Sequence, residues 1–277
     1  MNKRGEVWTK TFDNHWTECV TELLDASGVA ETLKRQTRIL VKPNLVEELL
    51  PPVTTSVELI EAVVIYLRQN APGVEIVVGD GTGSLDYDTF HVFNTLGYSQ
   101  MAKRQGVQLT DLNEEPCVEL SRPELKRWPN MHLPKIVLES FLFSVPVLKA
   151  HSLAGVTLTM KNMMGACPPK HYCKGGHWKK SSFHTEMQEA ILDLNSYRTP
   201  DFTLLDASVG LAEYHLGGPT CDPPPNLLIA AYDPVSADAF GAGLLGLDWE
   251  GIGHIAGAHG ELGSAGPLNV VKVRAAT

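Results

Sequence analysis

Two short apolar runs, RILVKPN (38–44) and VEIVVGD (74–80), flank the segment VELIEAVVIYLRQN (57–70), and this arrangement constrains the chain more than any other feature. The runs are rich in branched aliphatic residues and do not alternate with polar ones, as expected of strands buried on both faces. The segment between them carries apolar residues at helical spacing, and Thr54, Thr55 and Ser56 ahead of it offer an N-cap. Strand, helix, strand is a βαβ unit, and such units build parallel sheets covered by helices.

The same pattern continues downstream. Helices are expected over 12–34, 88–104, 185–198 and 234–246, the last beginning at Pro234, a favoured first helical position. Strands are expected over 107–112, 141–148, 202–208 and 226–233, with a short closing strand near LNVVKVR. The proline-containing stretch 116–139 lacks a helical period and reads as short antiparallel strands or an excursion, while VTLTMKNMMG (156–165) is open between helix and strand. The expected fold class is α/β, a mostly parallel sheet flanked by helices with two lobes around a cleft. The lobes would be 1–140 and 141–277, the second carrying the site, unless the chain is one continuous domain.

Composition excludes several function classes. At 43% apolar and 20% charged residues the chain can bury a core without staples. Its formal charge of -9 repels phosphate backbones, so no nucleic-acid partner is expected. The five cysteines are scattered and contain no Cys-x-x-Cys pair, which argues against a disulfide framework and against an iron–sulfur cluster held by local cysteines. MNKRGEVWTK has no apolar run after its charges, and no stretch approaches ~18 apolar residues. A cytoplasmic protein with no membrane contact is expected.

The chemistry is sought where polar residues follow strands, because ligands of open α/β sheets gather at the carboxyl ends of parallel strands. Lys42 and Asn44 follow RILV, Asp80 with GTG follows VEIVV, and Lys149 and His151 follow FLFSVPVL. Taken singly, Lys42 reads more simply as a solvated loop residue. The GDGTGS run reads either as a phosphate cradle or as a tight turn in which Asp80 bonds loop amides; its alternating glycines match neither a dinucleotide fingerprint nor a P-loop.

The richest stretch is KAHSLAGVTLTMKNMMGACPPKHYCKGGHWKKSSFH (149–184), which holds four of the ten histidines. Histidine can titrate near neutrality or bind a metal, and a partly buried lysine can neutralise an anion. His151 and Lys161 lie among apolar residues and are the catalytic candidates, with Asn162 beside them. Lys170, Lys174, Lys179 and Lys180 read as a solvated basic loop, and 166–182 as a mobile lid. His171, His177 and His184, with Cys173, are the candidate ligands for a divalent transition metal (Ni, Fe or Zn), although the spacing does not fit a closed zinc knuckle. Asp233 and Asp238 in DPVSADAF are evenly balanced between helix capping and orienting a His or Lys of the site; Asp206 is a similar case.

Together VKPN, the TT before a helix, VVGDG, VPVLKAHSLAGVTLTMKNMMG, DFTLLDA and AAYDPVSADAFGAGLLG resemble the family called domain of unknown function 362 (DUF362) over roughly residues 38 to 260. Some members carry an added iron–sulfur module with clustered cysteines, which this chain lacks. A more distant likeness is to the nickel-pincer lactate racemase family, on His151, Ala154, Gly155, Lys161 and His177. That likeness implies a cofactor held by Lys161, nickel at His177 and a base at His151. Leu158 and Thr159 stand where that family has paired glycines, and Gly83 stands where it has a second base.

The expected function is a small-molecule enzyme binding an anionic substrate, carboxylate or phosphate, in a Lys/His-lined cleft. Its chemistry would be acid–base or metal-assisted, isomerase- or oxidoreductase-like. Lys42, Asn44, Asp80, Lys149, Asn162, Asp233 and Asp238 would bind the substrate, and His151 would serve as general acid or base. The alternative is a metal- or cofactor-binding accessory protein with no turnover.

Overall fold

Period-two alternation assigns each strand residue to one of two buried faces. Ile39, Val41, Val78, Phe143, Phe202 and Leu204 pack with the helices Trp16–Ser27 and Val57–Asn70. Leu40, Val77 and Leu142 point the other way, onto the helix Met187–Tyr197 and the segment 163–167. Leu205 and Ile229 share that second side with the helix Pro234–Leu244. Both faces of the sheet are therefore covered, which is why its strands read as continuous apolar runs.

The structure, a computed structural model, describes residues 3–274. Its strands are β1 (Glu6–Thr11), β2 (Arg38–Lys42), β3 (Glu75–Asp80), β4 (Gln108–Asp111), β5 (Cys117–Ser121), β6 (Asn130–Pro134), β7 (Phe141–Ser144), β8 (Val147–His151), β9 (Gly155–Thr157), β10 (Phe202–Leu211), β11 (Leu227–Ala231) and β12 (Asn269–Val273). The main sheet runs β12-β1-β11-β10-β7-β2-β3-β4, with β8 and β9 attached through β10. The run from β10 through β7, β2 and β3 to β4 is parallel, and β11 lies antiparallel to β1 and β10. The fold is mixed α/β with a large, mostly parallel sheet. It passes through the expected lobe boundary at 140 without a break, since β7 pairs with β2. The stretch 116–139 contributes the antiparallel hairpin β5-β6.

Several elements differ from the sequence reading for identifiable reasons. The helix expected over 88–104 is two, Thr89–Thr95 and Tyr98–Gln105, because Gly97 turns the chain at φ 83°. Gly28, at φ 70°, likewise ends the first helix inside 12–34. The run 141–148 is divided between β7 and β8 around Pro146, which lacks an N–H for the ladder. Strand β1 has no counterpart in the sequence reading; its partners, β11 and β12, lie more than 200 residues away in sequence. No helix among the described residues is long and apolar enough to cross a membrane.

Ser56 caps the helix Val57–Asn70, accepting from the backbone N–H groups of Glu58 (3.2 Å) and Leu59 (3.4 Å). Replacing it with alanine should cost about 1 kcal/mol, read as a lower urea midpoint with an unchanged denaturant slope.

Candidate functional site

The parallel register brings the polar strand ends together. Lys42 at the end of β2 pairs with Ser144 at the end of β7, and Asp80 ends the neighbouring β3. Lys42 is fully buried, and a buried ammonium needs a partner. It donates to Asp80 Oδ1 at 2.6 Å, to Asn162 Oδ1 at 3.2 Å and to the Pro43 carbonyl at 3.2 Å, which uses all three of its N–H groups. The solvated-loop reading of Lys42 is therefore overturned. Asn162 also accepts from Asn44 Nδ2 at 3.0 Å and donates to Ser144 Oγ at 3.1 Å. Thr55 clamps Asn44 from outside: its Oγ1 accepts the Asn44 N–H at 2.8 Å, and its own N–H donates to the Asn44 carbonyl at 3.1 Å.

Above this network lies a cleft of about 660 Å³, part of it open to solvent. Of the residues singled out in the sequence, Asn44, Asp80, Lys149, His151, Lys161, Asn162, His184 and Gly83 line it. So do Lys180, His215, Trp178, Gly165 and Thr157, none of them anticipated. Lys180 read as a solvated loop residue but is buried, donating to the carbonyls of Gly81 (2.8 Å) and Gly165 (2.9 Å). Those bonds, with Lys179 N–H to the Gly83 carbonyl at 2.9 Å, tie down the end of the segment expected to be a free lid; only 173–177 is exposed throughout. Lys180 lay within the Lys/His-rich stretch but read there as solvated, and nothing near His215 in sequence marked it. Gly165 closes the MMG motif, and only the structure shows how closely Asp80 and Lys42 approach it.

The loop after β3 is a turn rather than an anion cradle. Asp80 accepts from the N–H groups of Leu45 (2.6 Å) and Gly81 (2.8 Å). The N–H of Thr82 goes to Thr89 Oγ1, that of Gly83 to the Val46 carbonyl and that of Ser84 to Thr82 Oγ1. No amide from Gly81 to Ser84 is left to hold a phosphate.

Asp233 and Asp238 are taken up by backbone groups and do not line the cleft. Asp233 caps the helix Pro234–Leu244, accepting from Val235 and Ser236, and also takes the Ser264 N–H at 2.7 Å. Asp238 caps a different helix, Thr159–Asn162, through the N–H groups of Thr159 (2.7 Å) and Met160 (2.9 Å). Burial pushes its carboxyl up to about 7. It thereby positions Lys161, which sits in the one turn it caps. Asp206 binds the N–H and hydroxyl of its neighbour Ser208, away from the cleft.

The three expected metal ligands are not gathered. His171 stacks on His132 at 3.8 Å between ring centroids, His177 is exposed on 173–177, and His184 stands at the cleft wall. Among the described residues no group of three or more His, Cys, Asp or Glu side chains is placed to hold a metal ion. Within the cleft, His151 Nδ1 accepts the N–H groups of Leu153 and Ala154, both at 3.1 Å, and its ring stacks on His215 at 3.9 Å. This donor set does not fit a nickel centre with His177 and Lys161.

The acceptor role of Nδ1 fixes the His151 tautomer, since two N–H groups can donate there only to a bare lone pair. The ring proton is on Nε2. Burial, reinforced by Lys161, His215 and Lys149, holds the imidazole well below its usual range, and burial with the same two lysines takes His215 down to about 3. Burial also holds Lys149 at about 7, with help from Lys161, and Lys161 and Lys180 at about 8. Asp80 is the one carboxylate on this lining, and Lys42 already neutralises it. Lys161 has no hydrogen bond or ion pair among the described residues.

The pattern of Domain of unknown function (DUF362) matches residues 39–243. The chain belongs to the DUF362 family. No curated protein matches this DUF362 chain. Its fold is similar to that of the lactate racemase apoprotein from Thermoanaerobacterium thermosaccharolyticum, with a TM-score of 0.54 and 11% identity. The likeness covers 88% of this chain and 58% of that protein, so the DUF362 chain spans little more than half its length.

Two outcomes test this geometry. A Cβ at Gly165 would collide with Asp80 Oδ1 and lie 2.5 Å from Lys42 Nζ. Gly165→Ala should therefore part the buried pair and cost about 3 kcal/mol or more, read by urea unfolding. The second is a pH dependence. From about 8 to the ordinary lysine value of 10.5, Lys161 and Lys180 bind fewer protons folded than unfolded, so stability from these groups rises with pH across that window. Below it the destabilisation is complete. The melting temperature of the ligand-free protein should gain more between pH 8 and 10 in the wild type than in Lys161→Met.

Proposed function

We propose that this protein is a small-molecule enzyme whose substrate is an anion, a carboxylate or phosphate compound, bound in the cleft above the Lys42–Asp80 pair. The observation that carries this reading is Lys161, an ammonium on the cleft lining with no hydrogen bond or ion pair among the described residues. Lys161 is part-buried, and burial disfavours its charged form, so an anion in the cleft would relieve it. Asp80 is engaged by Lys42, which leaves a ligand as the group to supply the counter-charge.

The residues then divide the work. Lys161 and Lys149 stabilise negative charge that develops on the substrate, an effect strengthened where water is excluded. His151 acts through Nε2–H as a neutral hydrogen-bond donor to a substrate oxygen. It does not act as a base, because its one lone pair is held by two amides. Asn162 and Asn44 keep the lysines in register, and Asp238 positions Lys161 from below. Acid–base chemistry of the isomerase kind then falls to Lys149 or Lys161, which burial brings to about 7 and about 8. A fold shared with a racemase of a small carboxylate supports the same substrate class. The five cysteines are all free thiols, as suits the reducing cytoplasm.

Lys161→Met keeps the volume and removes the charge. The variant should melt at or above the wild-type temperature, since hydrophobic replacement of an unpaired, part-buried charge is often neutral or stabilising. It should also lose the rise in melting temperature that small carboxylates and inorganic phosphate give the wild type. An undiminished rise in the variant would remove Lys161 from the site.

A further inference from the structure

The cleft also constrains how much charge its ligand carries. Three lysines line it, on three separate segments: Lys149 in β8, Lys161 in the turn Thr159–Asn162, and Lys180 in the loop before the helix Met187–Tyr197. An ammonium has three donors and no acceptor. Lys149 spends two of its donors on Asn44 Oδ1 (2.6 Å) and the Val53 carbonyl (2.7 Å). Lys180 spends two on the carbonyls of Gly81 and Gly165. One N–H is left on Lys149, one on Lys180 and all three on Lys161. Lys42, by contrast, is saturated and already paired with Asp80. All the fixed hydrogen-bond partners of Lys149 and Lys180 are neutral oxygens, so when the three lysines are protonated none of them is paired with a carboxylate of the protein.

We propose that the cleft is built for a ligand carrying at least two negative charges, a phosphate compound or a dicarboxylate, bridged by Lys161 with Lys149 and Lys180. This rests on the anion reading above and narrows it. A monoanion leaves two buried ammonium groups without a counter-charge, whereas a dianion reaches the unclaimed N–H groups of more than one lysine. The lysines come from separate segments, so such a ligand also ties together β8, the turn carrying Lys161 and the loop carrying Lys180. Because a bound dianion restores the protonation that burial opposes, binding draws protons from solvent.

Calorimetric titration of the full chain at pH 8 and constant ionic strength tests this, using matched pairs: acetate against malonate, lactate against malate, and inorganic phosphate as a compact dianion. The expected result is at least a tenfold tighter constant for the dianion of each pair, with net proton uptake shown by heats measured in two buffers of different ionisation enthalpy. Tighter binding of phosphate than of malonate assigns both charges to one group, and the reverse assigns them to two. Lys180→Met should collapse the dianion preference; the wild-type ratios stand without it should that variant fail to fold. Equal affinity for monoanions and dianions would overturn the proposal and leave the anion reading intact. Binding of none of the five probes would overturn both.

Discussion

The buried pair between Lys42 and Asp80 is the constraint on which the site depends. Neither charge reaches water, so the pair persists only while its remaining donors and acceptors are filled. Asn162 and the Pro43 carbonyl fill those of Lys42, and the N–H groups of Leu45 and Gly81 fill those of Asp80. Each contact recruits another segment: the loop after β2, the turn after β3 and the short helix carrying Lys161. Gly165 completes the set by having no side chain where the pair lies. The pair fixes the floor of the cleft.

On that floor the protein gathers like charges, against its own interest as a folded object. The chain as a whole is acidic, at -9, yet its cleft presents three lysines and a single carboxylate that is already taken. Burial and mutual repulsion lower the lysines and both stacked histidines. A site arranged in this way gathers basic groups without carboxylates to pair them, which is what the proposed anion reading rests on. Pairs and clusters of groups shifted by burial are where function concentrates.

Helix capping links the fold to this cleft in a way that runs against the obvious reading of DPVSADAF. Asp233 caps the helix it precedes, as its position ahead of Pro234 implies. Asp238 lies within that helix but caps another one, the turn Thr159–Asn162, which has no capping side chain of its own. Its carboxylate therefore acts on the site through backbone geometry, setting where Lys161 begins its reach.

The alternation-free runs at 38–44 and 74–80 and the helical period between them were enough, in the sequence alone, to specify a covered parallel sheet. They also placed Lys42, Asn44, Asp80, Lys149 and His151 at strand ends, because periodicity and strand termination are local properties. The family was legible too, through strings such as VPVLKAHSLAGVTLTMKNMMG. The partners of those residues were not legible. Burial of Lys42 depends on Asn162, 120 residues away. The place of Lys180 in the cleft depends on two carbonyls, at Gly81 and Gly165, that no side chain advertises. The stacking of His215 on His151, and the parting of His171 from His184, are likewise decided by which loops the folded sheet brings together. Sequence sets which residues end a strand, since that follows from neighbours along the chain. Charge state, tautomer and company follow from neighbours in space, and only the tertiary structure supplies those.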